Sequence, residues 1–208
     1  MGAGKIEKAR AIFLDRDGVL NYNVLNPLTG EFEAPLTPED FRLIPGVLES
    51  LGFLRDSGFL LFLVSNQPNY AKGKATLGAL EAIQNRLESA LDEADITFKA
   101  FNYCLHHPQA VVPSLLGPCQ CRKPSPYFLL KAQNEHAIDL SNSWMIGDRA
   151  TDVQCGKAAG VRTIRIVDEE SEACETGDSA ADFTAESLAS AVKILLANNN
   201  IVDQRSSS

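Results

Sequence analysis

Two aspartates separated by one residue follow a short apolar run near the start of the chain. Residues 11–14 read Ala-Ile-Phe-Leu, and Asp15, Arg16, Asp17 and Gly18 come directly after them. An apolar run that ends in acidic residues is typical of a buried strand that delivers carboxylates to the edge of a sheet. In an extended chain, side chains two positions apart point the same way, so Asp15 and Asp17 are expected to share a pocket that Arg16 faces away from. Carboxylates this close repel each other unless a cation intervenes, and we interpret them as a catalytic pair around a divalent metal, with Mg²⁺ preferred.

The short pattern Asp-x-Asp-Gly also occurs in surface turns and in calcium-binding loops. A calcium loop of the helix-loop-helix type needs further oxygen ligands at fixed spacing and a glutamate at its end. Residues 19–26 supply neither, and the buried strand before the motif argues against a surface turn. The catalytic interpretation therefore requires a second acidic site and a phosphate-binding group farther along the chain.

A second group of reactive side chains lies in segment 104–121. Cys104, His106, Cys119 and Cys121 provide three thiols and an imidazole, a complete tetrahedral ligand set for Zn²⁺. The one-residue spacings are tighter than in common zinc fingers, and free thiols or a redox pair are the alternatives. Zinc is favoured because a stretch this rich in proline and glycine has little capacity to fold without a metal or a crosslink. Four protein ligands leave no open position for water, so the expected site is structural.

Strand and helix signals alternate along the chain, which indicates an α/β fold with a mainly parallel sheet. Residues 22–45 are too long for a simple connection and are predicted to form a flap over the site. We expect one domain over residues 1–202, a doubly wound, Rossmann-like three-layer sandwich without a large cap domain, and a frayed tail at 203–208. After the strand at 11–14, further strands are expected at 59–64, 98–103, 143–146 and 161–166, and helices at 47–57, 76–94, 126–136, 151–159 and 185–197.

The polar residues that follow these strands are expected to meet. In doubly wound folds the ligand site lies outside the carboxyl ends of the strands. Asp15 and Asp17, Ser65 and Asp148 each stand at such an end. Carboxylates at two strand ends and a hydroxyl at a third are together a more specific signal than any one of them alone. They predict a single site at that edge of the sheet.

The overall charge favours a small ligand. The 208 residues include 27 acidic and 19 basic side chains, a net charge of −8. Such a chain repels nucleic acids and anionic membranes as a whole, so a phosphate-bearing ligand needs a local cluster of donors and metal. Residues 1–10 lack an apolar targeting segment, and the five cysteines do not suggest a secreted disulfide framework. We expect a cytoplasmic monomer whose partner is a small phosphorylated substrate, without a nucleic-acid or membrane partner.

Four segments resemble, in order, the motifs of the haloacid dehalogenase superfamily of phosphatases. They are Asp-Arg-Asp-Gly-Val at 15–19, Ser-Asn-Gln at 65–67, Arg-Lys-Pro at 122–124 and Gly-Asp-Arg-Ala-Thr-Asp at 147–152. The chain is most similar to the subgroup that contains heptose 1,7-bisphosphate 7-phosphatases and histidinol-phosphate phosphatases, and segment 104–121 resembles the zinc loop of that subgroup.

This resemblance implies a role for each matching residue. Asp15 corresponds to the nucleophile that becomes an aspartyl phosphate, and Asp17 to the general acid and base. Mg²⁺ would be held by Asp15, Asp17 and Asp148. The phosphoryl group would be held by Ser65, Asn66 and Lys123, and Arg122 is a candidate for a second anionic or hydroxyl group of the substrate. For Asp152, helix capping and direct metal ligation both stay open.

The expected reaction is Mg²⁺-dependent hydrolysis of a phosphomonoester on a small phosphorylated sugar, foremost D-glycero-D-manno-heptose 1,7-bisphosphate. Histidinol phosphate is the nearest alternative substrate, a nucleic-acid 3′-phosphate a more distant one, and a non-catalytic zinc-binding module the alternative from another class. The residues after the second motif, Pro68-Asn69-Tyr70, depart from the Ser-Gly-apolar continuation that is usual in the subgroup, so the leaving group stays open between these substrates.

Overall fold

The computed structural model describes residues 8–26, 30–167 and 181–205. Its strands are β1 Ala11–Leu14, β2 Val24–Leu25, β3 Phe32–Glu33, β4 Leu60–Asn66, β5 Phe98–Cys104, β6 Trp144–Gly147, β7 Arg162–Ile166 and β8 Phe183–Ala185. Its α-helices are α1 Val47–Asp56, α2 Leu77–Glu93, α3 Tyr127–His136, α4 Ala150–Ala159 and α5 Leu188–Arg205, and short 3-10 turns lie at Pro113–Leu115 and Leu140–Asn142.

Six strands form one parallel sheet in the order β5-β4-β1-β6-β7-β8. Strand β1 lies between β4 and β6, so the order reverses beside it. In such sheets the crevice outside the carboxyl ends of the strands is where ligands bind. The doubly wound, mainly parallel sheet that the sequence predicted is therefore confirmed.

Alternating side chains of β1 enter two separate cores, as expected for a strand covered on both faces. Ile12 and Leu14 pack in a cluster with apolar residues of α1, α2 and α5. Ala11 and Phe13 pack in a second cluster with residues of α3 and α4. Helices thus cover both faces of the sheet, which confirms the three-layer arrangement.

Two small elements were not predicted. Strands β2 and β3 pair antiparallel within the 22–45 segment, and β8 adds a sixth strand beside β7. Both elements are only two or three residues long, too short for an apolar period to be visible in the sequence. The pairing of β8 depends on distant contacts, such as the Thr163 amide, which donates to Asp182 Oδ2 at 2.7 Å.

The end of the chain also differs from expectation. Helix α5 continues to Arg205, so residues 203–205 extend a helix where the sequence analysis expected a frayed tail. No proline or glycine interrupts residues 188–205, which is why the helix can continue. Residues 168–180, which we expect to form an acidic loop from their sequence, and residues 206–208 lie outside the described residues. One domain over residues 1–202 stays a prediction.

No helix in the described ranges is both long and apolar enough to cross a membrane.

Candidate active site and metal centre

Three buried carboxylates meet at the carboxyl edge of the sheet. Asp15 follows β1, Asp148 follows β6, and Asp152 lies in the first turn of α4. Each offers one carboxylate oxygen, and these oxygens lie within 4.8 Å of one another. The backbone continues the pairing of β1 with β6 here, because the Asp15 amide donates to the Ile146 carbonyl at 2.9 Å.

The carboxylate of Asp17 does not belong to this acidic group, contrary to its expected place among the Mg²⁺ ligands. Strand β1 ends at Leu14, so the two-residue alternation of an extended strand no longer applies to residues 15–17. Arg16 does not face away either. Its Nε and Nη2 donate to Asp17 Oδ1 at 3.1 and 3.0 Å. Asn21 Nδ2 donates to the same oxygen at 2.9 Å, and Gln67 Nε2 to Oδ2 at 2.5 Å.

Lys123 links the acidic group to the neighbouring strand. Its buried ammonium nitrogen lies 3.0 Å from Asp15 Oδ1 and 2.5 Å from Asp152 Oδ1, and it donates to the Val64 carbonyl at 2.7 Å. The ammonium thus lies between two carboxylates and one backbone carbonyl. Lys123 is therefore fixed at the centre of the site.

Asn66 fixes the backbone of Lys123. Its Nδ2 donates to the Lys123 carbonyl at 3.2 Å and its Oδ1 accepts from the Lys123 amide at 3.1 Å. Both ends of the Asn66 amide are thus engaged by the Lys123 backbone, which makes Asn66 a support of Lys123. Its contact with the phosphoryl group stays a prediction. Ser65, one residue earlier, is buried, accepts from Gln67 Nε2 at 3.0 Å and hydrogen-bonds to the Asp15 carboxylate.

The crowding of charge shifts the pKa values of these groups in opposite directions. Burial opposes the charge of Asp15, but the Lys123 ammonium and hydrogen bonds from Ser65, Lys123 and the Arg16 amide lower its pKa below the ordinary value. Burial and the charges of Asp15 and Asp152 raise the pKa of Asp148. Burial raises the pKa of Asp152 to about 6, although Lys123 opposes the rise. One lysine thus does not balance three carboxylates.

A divalent cation fits this imbalance. Oδ1 of Asp148 is buried and has no hydrogen-bond partner among the described residues, a costly state for a carboxylate unless an ion binds it. Gly18 allows its backbone to lie against the Asp148 carboxylate, because a Cβ at this position would stand 2.3 Å from Asp148 Oδ2. Its φ of +76° is also one that residues with a side chain disfavour. Oxygen-only, carboxylate-rich sites are those that Mg²⁺ uses.

Asp152 also caps its own helix. Its Oδ2 accepts from the Arg149 amide at 3.0 Å while Oδ1 contacts Lys123. Both roles that the sequence left open are therefore compatible with its position. Arg16, Asn21 and Gln67 were not assigned site roles from sequence; the only available signals were a charged residue between two acids and a glutamine inside the second motif.

Cys104, His106, Cys119 and Cys121 form the second candidate metal site. Sγ of Cys119 lies 3.6 Å from Sγ of both Cys104 and Cys121, and Cys121 Sγ lies 3.7 Å from His106 Nδ1. A disulfide needs sulfurs about 2.05 Å apart, whereas zinc at about 2.3 Å from each of two thiolates in a tetrahedron separates them by about 3.8 Å. The geometry therefore fits Zn²⁺. His107 is not in this group, and its Nδ1 accepts from the Gln109 amide at 3.1 Å.

Several basic side chains lie near the acidic group and the zinc loop. Arg122 follows the last cysteine and donates to the His106 carbonyl at 3.1 Å, which joins it to the zinc loop. Arg149 is exposed beside Asp148, with 4.0 Å between Nε and Oδ2. Burial and the neighbouring charges of Lys74, Arg122 and Arg149 lower the pKa of Lys72. These cations lie close enough to act on one another, in a chain that is acidic overall.

Comparisons with known proteins identify the family. A HAD-hydrolase-like family model matches residues 120–191. The chain is 35% identical to the D-glycero-beta-D-manno-heptose-1,7-bisphosphate 7-phosphatase of Escherichia coli over 179 residues, 86% of this chain and 90% of that protein. The corresponding protein of Yersinia pestis is 34% identical over 187 residues, 90% of this chain and 95% of that protein.

Among solved structures, a D,D-heptose 1,7-bisphosphate phosphatase from B. bronchiseptica, complexed with magnesium and phosphate, superposes with a TM-score of 0.73. It is 24% identical and the alignment covers 91% of this chain and 99% of that one, which supports the fold. From the sequence identity over nearly the whole length of its relatives, the chain belongs to the haloacid dehalogenase superfamily of phosphatases, and within it to the family of the heptose 1,7-bisphosphate 7-phosphatases.

Proposed function

We propose that this chain hydrolyses the 7-phosphate of D-glycero-D-manno-heptose 1,7-bisphosphate through an aspartyl-phosphate intermediate on Asp15. The observation that carries the proposal is the contact of Lys123 with Asp15 beside the unpartnered carboxylate oxygen of Asp148. A phosphate dianion is repelled by a carboxylate nucleophile, so the reaction needs cations at this point. The names of the relatives supply the sugar.

Asp15 and Asp148 are side chains that would hold Mg²⁺ directly. Asp152 would either bind the ion as well or orient Lys123, with which it forms an ion pair. When bound, the ion would neutralise charge on the transferring phosphoryl group. Asp17 is left outside the metal set because Arg16, Asn21 and Gln67 hold its carboxylate. This separation suits an acid–base group that must exchange a proton.

The reaction has two steps, formation of the aspartyl phosphate and its hydrolysis. Asp15 attacks phosphorus, the bond from phosphorus to the sugar oxygen breaks, and Asp17 gives its proton to that oxygen. Asp17, now a carboxylate, takes a proton from water, whose oxygen attacks the aspartyl phosphate and releases Asp15 and inorganic phosphate. Ser65 and Lys123 hold the phosphoryl oxygens during both steps.

The basic side chains near the acidic group favour a substrate with a second phosphate. We assign Arg122, Arg149 and Lys72 to the part of the substrate remote from Asp15, because these cations act on one another and Arg149 lies beside Asp148. A bisphosphate offers them an anion that histidinol phosphate lacks. Zn²⁺ on Cys104, His106, Cys119 and Cys121 would fix the loop that precedes Arg122 and Lys123. We also propose a cytoplasmic monomer that needs no nucleic-acid or membrane partner.

The test is Mg²⁺-dependent phosphate release from a panel of heptose 1,7-bisphosphates, histidinol phosphate and a 3′-phosphorylated oligonucleotide, with Asp15→Asn as control. We expect the heptose bisphosphate to have the highest kcat/KM and the variant to be inactive. A preference for histidinol phosphate would overturn the sugar and leave the reaction intact. Inactivity on every compound would contradict the catalytic assignment.

A further inference from the structure

The two oxygens of the Asp17 carboxylate have unequal surroundings. Oδ1 receives three N–H groups, two from Arg16 and one from Asn21, all at 2.9 to 3.1 Å. A carboxylate oxygen has two lone pairs, so Oδ1 has none left for a proton. Oδ2 accepts one short hydrogen bond, from Gln67 Nε2 at 2.5 Å, and a long one from Arg16 Nη2 at 3.4 Å. The same Gln67 nitrogen also lies 3.0 Å from Ser65 Oγ. Oδ2 therefore has fewer short hydrogen bonds than Oδ1, and it shares a partner with Ser65, to which the proposed function assigns phosphate binding.

The Arg16 guanidinium also contacts residues other than Asp17. Its Nη2 donates to Gln67 Oε1 at 2.9 Å, and its guanidinium carbon lies 5.8 Å from the centre of the Tyr103 ring. The Tyr103 hydroxyl donates to Gln84 Oε1, and Gln84 Nε2 donates to Glu88 at 2.7 Å. A continuous row of contacts thus runs from α2 through β5 to the acid–base residue.

Arg16 is 1% exposed, so it does not touch the substrate. A buried guanidinium whose fork meets a carboxylate fixes that carboxylate in rotation as well as in place. A lysine would supply the charge at this position without the fork. The row of contacts is therefore suited to orienting Asp17.

We propose that Arg16, braced by Tyr103 and Gln84, is a positioning residue that fixes the rotation of the Asp17 carboxylate so that Oδ2 exchanges the proton with the leaving sugar oxygen. The inference rests on the proposed phosphatase function. In the first step the proton moves from Oδ2 to the sugar oxygen as the bond from phosphorus to that oxygen breaks and the bond to Asp15 forms. Orientation before substrate arrives is a large source of rate acceleration, and a misplacement of about 1 Å costs up to about 100-fold.

The test compares a leaving group that needs a proton with one that does not. Arg16→Lys and Tyr103→Phe are each measured on heptose 1,7-bisphosphate, whose sugar oxygen needs a proton, and on acetyl phosphate, whose acetate leaves without one. We expect Arg16→Lys to lower kcat/KM for the sugar by about 10- to 100-fold and Tyr103→Phe by a smaller factor, with KM for the sugar and kcat/KM for acetyl phosphate changed less than about twofold. Tyr127→Phe, which removes a phenol hydroxyl from an exposed site on α3, is the matched control and should change neither.

The same substitutions are then made in an Asp17→Asn protein. If Arg16 acts through Asp17, Arg16→Lys and Tyr103→Phe should add less than about twofold to the loss there, because the group they orient no longer carries the proton. Equal losses on both substrates, or the same fold loss in the Asp17→Asn protein, would overturn the inference. If heptose bisphosphate is not a substrate, only the sugar assignment fails. The single variants and their combinations with Asp17→Asn are then measured on the alkyl phosphate that has the highest kcat/KM in the substrate panel of the proposed function.

Discussion

The ammonium nitrogen of Lys123 lies 3.0 Å from Oδ1 of Asp15, and both side chains are buried. The positive charge of Lys123 thereby compensates the negative charge of the Asp15 carboxylate before the substrate binds. Its second ion pair, 2.5 Å to Asp152, ties it to the first turn of α4. One residue thus serves the phosphate pocket and the balance of charge beneath it.

Replacement of Lys123 by Met should therefore reduce activity and stability together. We expect kcat to fall roughly 10²- to 10³-fold, the effect of losing one charged stabiliser of the transition state. Removing one partner of a buried ion pair costs about 3–5 kcal/mol, so the free energy of unfolding should fall by about that amount without Mg²⁺. Phosphate release and urea unfolding measure the two effects. Lys131→Met, which removes an exposed ammonium 3.9 Å from Glu135, is the control, and a comparable loss there would contradict the assignment.

The zinc loop should be required for the position of Arg122 and Lys123. We expect purified protein to contain one zinc per chain by elemental analysis, and Cys121→Ser to lose it, because the site needs four soft ligands. The variant should keep Mg²⁺ binding yet lose most phosphatase activity. Cys155→Ser is the matched control, since that buried thiol contacts the Ser125 carbonyl outside the cluster. Full activity of zinc-free protein would disprove a structural role for the metal.

The main layers of the fold and most of the site were predictable from the sequence, because both depend on local patterns. An apolar run such as 59–64 identifies a buried strand, and acids at strand ends must meet at one edge of a parallel sheet. The side-chain directions of Arg16 and Asp17 were not predictable, since they depend on where β1 ends. Tyr103 and Gln84 come from β5 and α2, and nothing in their own segments indicates that they support Arg16.

Mg²⁺ should stabilise the protein more at neutral than at acidic pH. The pKa of Asp152 is raised from 3.8 to about 6 in the folded protein, and that of Asp148 is raised as well. Between about pH 4 and pH 6 the folded state binds more protons than the unfolded state. These groups therefore make the free energy of unfolding fall as the pH rises through that window. Mg²⁺ needs the deprotonated carboxylates and reverses this loss.

We therefore expect the increase in Tm on adding Mg²⁺ to be small at about pH 5 and to reach its full size above about pH 7. Thermal unfolding with and without MgCl₂, with NaCl at matched ionic strength as control, measures it. In Asp152→Asn the apoprotein should lose less stability between these two pH values. An equal Mg²⁺ effect at both pH values would show that these carboxylates do not bind the ion.

The predicted flap, residues 22–45, should affect substrate binding more than chemistry. Within it, Glu33 of β3 accepts from Asn26 at 2.5 Å and pairs with Lys74, 2.5 Å away in the loop before α2. Such a partly exposed pair contributes up to about 1 kcal/mol. Glu33→Gln should therefore raise KM for the sugar bisphosphate by at most about fivefold and change kcat by less than about twofold. Glu39→Gln removes a charge that lies 3.7 Å from Arg86 at an exposed site of the same segment, and KM should not change there. A fall in kcat with constant KM in Glu33→Gln would place the flap in the chemical step instead.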